Sequence, residues 1–330
     1  MATIDTKWPT LMDAATRTDP DGTLAEIAET LNETNEILTD MVFLEGNLPT
    51  GNKSTIRTGL PVPTWRKLYG GVQPTKSTTA QVTDTTGMLE AYAEQDAALV
   101  QMQKDPAGFR RSEDLAHVEG MSQKMAETLI YGNETTEPEA FTGLAPRFNS
   151  LSAQNADNIV NAGGAGSDNT SMYLVVWGPR SVHGIYPQGS RAGLAQKDHG
   201  EVTLENIDGA GGRMQAYRTH FRWDMGLTMR DWRYVAAVRN IDVSDLGTLA
   251  NTKNLITWGI QAGERIPNLG VGRAAWYVNR TIREKLRLGI LEKVSTNLTW
   301  ETVAGQRVMM FDGIPVRRVD AILNTEAAIS

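Results

Sequence analysis

Four histidines, His117, His183, His199 and His220, are the side chains of this chain best suited to proton transfer or metal binding. Their spacing supports neither role. No two of them sit at the helical separation of a paired metal site. His199-Gly200-Glu201 has the local order of a metal ligand beside a proton-transferring carboxylate. The cysteine ligands that complete such a site are missing, because the chain has no cysteine. The same absence removes disulfides and thiolate nucleophiles. Ser181 and His183 are neighbours in sequence, but no G-x-S-x-G elbow presents a serine. Gly209-Ala210-Gly211-Gly212 lacks the Lys-Ser/Thr of a phosphate loop and leads into a strand, so a hairpin turn accounts for it better than a phosphate cradle. Each histidine reads as structural or simply exposed. The residues point to no enzyme, cofactor or metal.

The segment Gly46–Thr83 is the most informative part of the chain. It holds five bases (Lys53, Arg57, Arg66, Lys67, Lys76), four prolines and no acid. It has too few large apolar residues for a core of its own. Its Thr, Val, Ile and Tyr content favours extended backbone, and its prolines suit edges or bends. With Gly70-Gly71 as a turn, residues 44–88 are expected to form a two-stranded ribbon with arms of roughly 20 residues, about 65 Å each. Such an arm is built to lie on something else.

The segment before it is opposite in charge. Residues 1–40 hold nine acids against Lys7 and Arg17. Asp19, Asp21, Glu26, Glu29, Glu33, Glu36 and Asp40 are candidates to meet the ribbon bases Lys53, Arg57, Arg66, Lys67 and Lys76 across subunits; a solvated helix face is the plainer alternative. The chain of 330 residues is acidic overall, with a net charge of −7, which disfavours sequence-specific DNA binding. Trp and Arg interleave at Arg222-Trp223 and from Arg230 to Arg233. A buried and a solvated sheet face explain this better than a base-stacking platform. No apolar run is long enough to span a membrane, and no signal segment opens the chain, so assembly in a cytoplasm is expected.

The elements follow from periodicity. Leu24, Ile27, Leu31 and Leu38 suggest a helix over 24–40. Residues 89–101 fit strand or helix. Asp105-Pro106 is a strong helix start, the stripe Leu115, Val118, Met121, Met125 and Leu129 marks one face, and Gly132 offers a left-handed stop. Residues 133–170 read as a long irregular connection. Strands are expected over 171–186, on both sides of the glycine-rich turn at 208–212, through 214–242, over 274–279 and about a turn at Asp312-Gly313. Helices are expected at 244–262 and 280–292.

This order of parts resembles the HK97-type major capsid proteins of tailed bacteriophages, in particular short-tailed ones. AAWYVNRTIREKLR (274–287) is similar to the family's "wvMN"-like strand and following helix. FDGIPVRRVDAIL (311–323) is similar to its "G-x-PV" strand, and YLVVWGPRSVHGIYPQGS (173–190) to its glycine-punctuated sheet segment. The resemblance implies an α+β HK97-like fold: an N-arm at 1–43, an E-loop at 44–88, a P-domain at 89–240 with its spine helix near 106–132, and an A-domain at 241–330. Because the 173–190 segment precedes the other two, a reordered topology is expected, with the A-domain completed last. The resemblance further implies a non-enzymatic protein assembling as hexamers and pentamers into an icosahedral virion capsid. Its partners would be a portal, packaged DNA on the inner face without sequence specificity, and no membrane, with or without a cementing protein. A ribbon starting near residue 44 leaves no room for a fused scaffold, so a separate scaffolding protein is expected. Another virion component, an encapsulin-like shell, or a polysaccharide-binding or polysaccharide-modifying β-rich protein are the alternatives.

Overall fold

A computed structural model describes residues 33–205, 211–247, 249–291, 298–303 and 306–330. In chain order they form α1 (Ile37–Asp40), β1 (Phe43–Glu45), β2 (Gly51–Gly59), β3 (Thr78–Asp96), α2 (Ala97–Gln101), α3 (Pro106–Tyr131) and α4 (Leu144–Arg147). Then follow β4 (Ile159–Asn161), β5 (Asn169–Trp177), β6 (Val182–Tyr186), β7 (Leu194–Glu205), β8 (Arg213–Met229), β9 (Val235–Asp242) and α5 (Leu249–Glu264). The chain ends with β10 (Arg273–Val278), α6 (Arg280–Leu291), β11 (Leu298–Val303), β12 (Gln306–Phe311) and β13 (Ile314–Arg318). Of the helix expected over 24–40, residues 24–32 lie outside the described residues, and the remainder is the single turn α1.

Two compact units divide these elements. Among the described residues the first holds Glu33, Met88–Met125 and residues between Gly193 and Asp224. Here α3 begins as its sequence dictates: the Asp105 carboxylate accepts the Gly108 amide at 3.0 Å, and Pro106 needs no partner for a missing N–H. Met121 packs with Ala93 and Phe221, flanked by Val118, Leu194 and Trp223. Leu115 leaves the expected stripe and is 56% exposed. Phe109 is fully buried instead, against Leu99, Val100 and Tyr217. β7 and β8 pair antiparallel from Leu194↔Trp223 to Glu205↔Arg213, on either side of the expected glycine-rich turn, whose residues 208–210 lie outside the described ones. Cross-strand pairs on this sheet match opposite charges, with Arg218 on Glu94 at 2.7 Å and Arg222 near Glu90; Arg222 also meets Asp224 of its own strand.

The second unit holds Thr34–Gly87, Ala126–Ala192 and the described residues of Met225–Ser330. Its axis is β5, in which all nine residues are buried. A strand covered on both faces reads as a continuous apolar run, as MYLVVW does. β5 pairs antiparallel with β10 (Leu174↔Trp276) and with β9 (Leu174↔Ala236), and β10 pairs parallel with β13 (Trp276↔Val316). Met172, Leu174, Val176, Trp276 and Val316 face one core with Leu255 of α5 and Ile282 and Leu286 of α6. Asp312 and Gly313, at φ 51° and 73°, form the two-residue hairpin turn that joins β12 to β13, as Asp-Gly predicts.

Three expectations are corrected. Residues 169–186 and 273–318 were expected in separate domains with a boundary near 240. Hydrogen bonding of β5 to β10 and β9 places them in one sheet, because both segments are apolar on both faces and only a shared sheet interior buries them. A boundary near 240 therefore does not separate these strands. The ribbon is also shorter than expected: β2 has nine residues, about 30 Å, and pairs with Thr78–Thr85. Residues 60–77 form no strand, since Pro61, Pro63 and Pro74 cannot donate to a ladder. Gly132 does end α3, but without positive φ. It is needed for space: a Cβ there would lie 2.5 Å from the Phe141 carbonyl oxygen. Gly132→Ala should accordingly lower the stability of the unassembled subunit by about 1–3 kcal/mol, the usual cost of overpacking. A denaturant midpoint that does not move would exclude this account.

Candidate functional site

The ribbon rises from a buried polar foot. Asp84 of β3 is 3% exposed, and Arg147 of α4 donates to it at 2.9 Å. The same guanidinium reaches the carbonyls of Leu227 (3.0 Å) and Thr142 (3.3 Å). Thr85 donates its hydroxyl to Glu134 at 2.6 Å. Close backbone approach completes the foot, for a Cβ on Gly226 would lie 2.4 Å from the Thr85 carbonyl. Asn47 braces the outer side of β2: its side chain accepts from the Lys53 N–H (2.7 Å) and donates to the Lys53 carbonyl (2.8 Å), as a neighbouring strand would.

Beyond the paired residues the tip runs bare. Leu60, Val62, Trp65, Leu68 and Tyr69 are 70% to 102% exposed. A turn at Lys67–Gly70 is closed by the Gly70 amide on the Lys67 carbonyl, and Arg66 donates back to the Gly70 carbonyl at 2.9 Å. Lys53, Arg57, Lys67 and Lys76 are exposed. The bases and the apolar side chains thus share one protruding segment with no cover from their own subunit among the described residues. Sequence reasoning found the bases; it missed the apolar tip, although the same residues were in view.

The acids divide differently. Asp19, Asp21, Glu26 and Glu29 lie outside the described residues. Glu33 is exposed, and its amide donates to Glu119 at 3.1 Å. Glu36 sits between Arg317 (3.1 Å) and Arg283 (3.7 Å). Asp40 is 3% exposed, 3.1 Å from Arg317, and accepts from the Tyr277 hydroxyl. Asp40 is therefore no surface contact: burial commits its carboxylate to its own subunit.

A second buried charge site fastens the chain end. Glu326 accepts from Ser171 (2.6 and 2.7 Å) and from the Tyr131 hydroxyl (2.5 Å), with Arg239 at 3.6 Å. Arg239 also donates to Tyr173. Burial and the adjacent Glu326 carboxylate hold the Tyr131 phenol far above its ordinary range. No local pattern marks this site, because its members are far apart in the chain.

The histidines take up scattered positions. His220 stacks on Tyr92, and His117 on Phe221. His183 is buried in β6, and its Nδ1 finds no partner among the described residues. Burial, then the nearby positive Arg230, lowers its pKa to about 4. Among the described residues no three His, Asp or Glu side chains are grouped to hold a metal ion.

A subunit with a buried two-faced sheet, a helix of 26 residues and a bare basic ribbon has the architecture of a shell-forming protein of the HK97-like capsid fold. The family model described as major capsid protein GP7 matches residues 19–330, and the chain belongs to that family: it is a shell-forming major capsid protein of bacteriophage type and a virion capsid component. The capsid structure of bacteriophage Epsilon15 is 40% identical, covers 100% of this chain and 99% of its own, and superposes with a TM-score of 0.78. The capsid of bacteriophage JBD30 shares the fold at 9% identity, with a TM-score of 0.51 over 90% of this chain and 95% of its own. No curated protein matches the chain.

Two outcomes follow from these sites. Arg147→Ala strands Asp84 as a buried, unpaired charge and should cost about 3–5 kcal/mol. Hydrogen exchange should report it as faster exchange along β2 and β3; unchanged protection there would refute the anchoring role. His183 is neutral in the folded state down to about pH 4, whereas the unfolded chain takes up the proton near 6.5. The unfolded state binds more protons between these values. Stability is thus complete above pH 6.5 and falls as the pH drops toward 4, by roughly 3 kcal/mol at most. Subtracting the stability profile of a His183→Gln variant from that of the parent should isolate this loss.

Proposed function

We propose that this protein builds an icosahedral shell of hexamers and pentamers around phage DNA, with residues 44–88 as the E-loop that laps a neighbouring subunit and α3 as the spine helix. The observation that carries this reading is the bare tip: large apolar side chains at Leu60, Val62, Trp65, Leu68 and Tyr69, interleaved with Arg66 and Lys67, outside any core of their own. Apolar side chains rimmed by charge mark a contact surface. Lys53, Arg66, Lys67 and Lys76 face acids of another copy, drawn from Asp19, Asp21, Glu26, Glu29 and Glu33. Shell contacts are then many and individually modest, which suits repeated heterologous packing. Assembly takes place in the host cytoplasm on a separate scaffolding protein, with a portal at one vertex, and the chain performs no catalysis.

Electron microscopy of the purified chain, alone and with its scaffolding partner, tests the reading. Replacing Trp65, Leu68 and Tyr69 together with serine should leave the circular dichroism of the subunit unchanged and abolish shells; intact shells from that variant would overturn the role of the tip. Exposed ion pairs contribute about 0–1 kcal/mol each and are screened in about 1 M salt, so shells should loosen as salt rises. The shell is held without covalent links, and a denaturing gel of mature particles should show one band at 36.1 kDa. A ladder of multimers would show otherwise.

A further inference from the structure

Beside the ribbon lies an open cavity of about 640 Å³. Arg57 of β2 borders one side, Arg180 lies in the turn between β5 and β6, and Arg230 lies between β8 and β9. Arg233 also lines it, but its charge is matched: it grips Asp231 through two bonds of 2.9 and 2.7 Å. Among the described residues no carboxylate pairs with Arg57, Arg180 or Arg230. Three arginines without an ion-pair partner among the described residues thus line one crook from three separate parts of the chain. β2 is the last strand in its sheet order, so its open edge runs along the same crook.

Guanidinium groups gathered this way fit an oxyanion, a carboxylate or a phosphate. In a shell, the next copy of the same chain is the neighbour that is always present. A head-to-tail contact requires the complementary patch on that same chain. Such a patch exists. The connection of residues 132–143 carries Glu134, Glu137 and Glu139 and no base. All three are exposed. This loop sits against β3, where a Cβ on Gly87 would meet the Glu139 carbonyl at 2.8 Å, whereas the crook lies along β2. The two patches are therefore carried by different strands of the ribbon, as a contact that propagates round a ring needs.

We propose that the crook formed by Arg57, Arg180 and Arg230 is a carboxylate seat that receives the Glu134–Glu139 loop of a second copy of this chain. The inference rests on the shell-forming function and adds the pair of surfaces that meet. Seated carboxylates replace water around the arginines, and ordering the loop sets the orientation of one subunit against the next.

Carbodiimide coupling within assembled shells tests it, since the reagent joins an amine to a touching carboxylate with loss of water. Shells are made from a mixture of ¹⁵N-labelled and unlabelled R180K/R230K protein, which keeps the positive charges. Mass spectrometry should find the amine introduced at 180 or 230 joined to Glu134, Glu137 or Glu139, in peptides carrying one labelled and one unlabelled half. Links only within one copy, links to other carboxylates, or no links overturn the proposal. In the full chain, R180E/R230E should lose shells while keeping the subunit's circular dichroism, and adding E137K/E139K should restore them. Normal shells from R180E/R230E, or no restoration in the combined variant, count against the seat. A requirement for DNA in the shell before the arginines become protected would assign the crook to phosphate instead and likewise overturn it. Failure of the parent chain to form any shell would be a different result, directed at the shell function itself.

Discussion

The ion pair between Arg147 and Asp84 is the interaction on which the ribbon depends. A two-stranded ribbon buries little apolar surface and is marginal by itself in water. It can hold a direction only if its root is fixed. Arg147 fixes it by serving Asp84 and two backbone carbonyls with one planar group. In a buried setting a carboxylate without its partner is costly, so the arrangement is closer to all-or-none than a surface pair would be. Gly226 and Gly87 contribute by what they lack: backbone atoms approach where any side chain would collide. The apolar side chains of the tip stay bare, and the ribbon is fixed at its foot.

The same unit solves a related problem at the chain's end. β5 has aliphatic side chains toward α5 and α6, and a polar network against the other face. There Ser171, Tyr173 and Arg239 meet Glu326, which arrives from the last few residues. Backbone bonds between Asn169 and Glu326, and from Ala328 to Gly166, lay the end of the chain alongside. A buried charged cluster adds little net stability over a well-packed apolar one, but it accepts only one arrangement. For a subunit repeated many times in one shell, a single arrangement matters more than a deep free-energy minimum.

Charge is spent unevenly across the molecule. The acids nearest the described start of the chain serve their own subunit: Glu36 and Asp40 answer Arg283 and Arg317. On the sheet of the first unit, Glu90 and Glu94 answer Arg222 and Arg218. Pairing of this kind leaves the Trp and Arg alternation of β8 occupied by carboxylates rather than open to bases. The ribbon, the crook beside it and the acidic loop after α3 carry charges without an ion pair among the described residues, and so have charge left for another molecule.

Local chemistry was legible in the residues themselves. A capping Asp105 before Pro106 set the start of a helix of 26 residues, and Asp312-Gly313 set a hairpin turn, because both act through backbone preferences of a few adjacent residues. The acid-free, proline-marked stretch announced a protruding basic ribbon for the same reason: its composition cannot make a core. Distances along that ribbon were not legible, since prolines forbid a ladder without saying where pairing stops. Nor was the partnership of β5 with β10, about a hundred residues apart, which follows from burying two-faced apolar strands together rather than from any local pattern. Gly132 showed the limit most plainly, as its lack of a side chain is required by a carbonyl nine residues away and not by its own backbone angles. Glu326 and the three arginines of the crook belong to the same class. Their meaning is a meeting of distant segments, and only the tertiary structure, by deciding which surfaces are buried and which charges remain unmatched, brings them together.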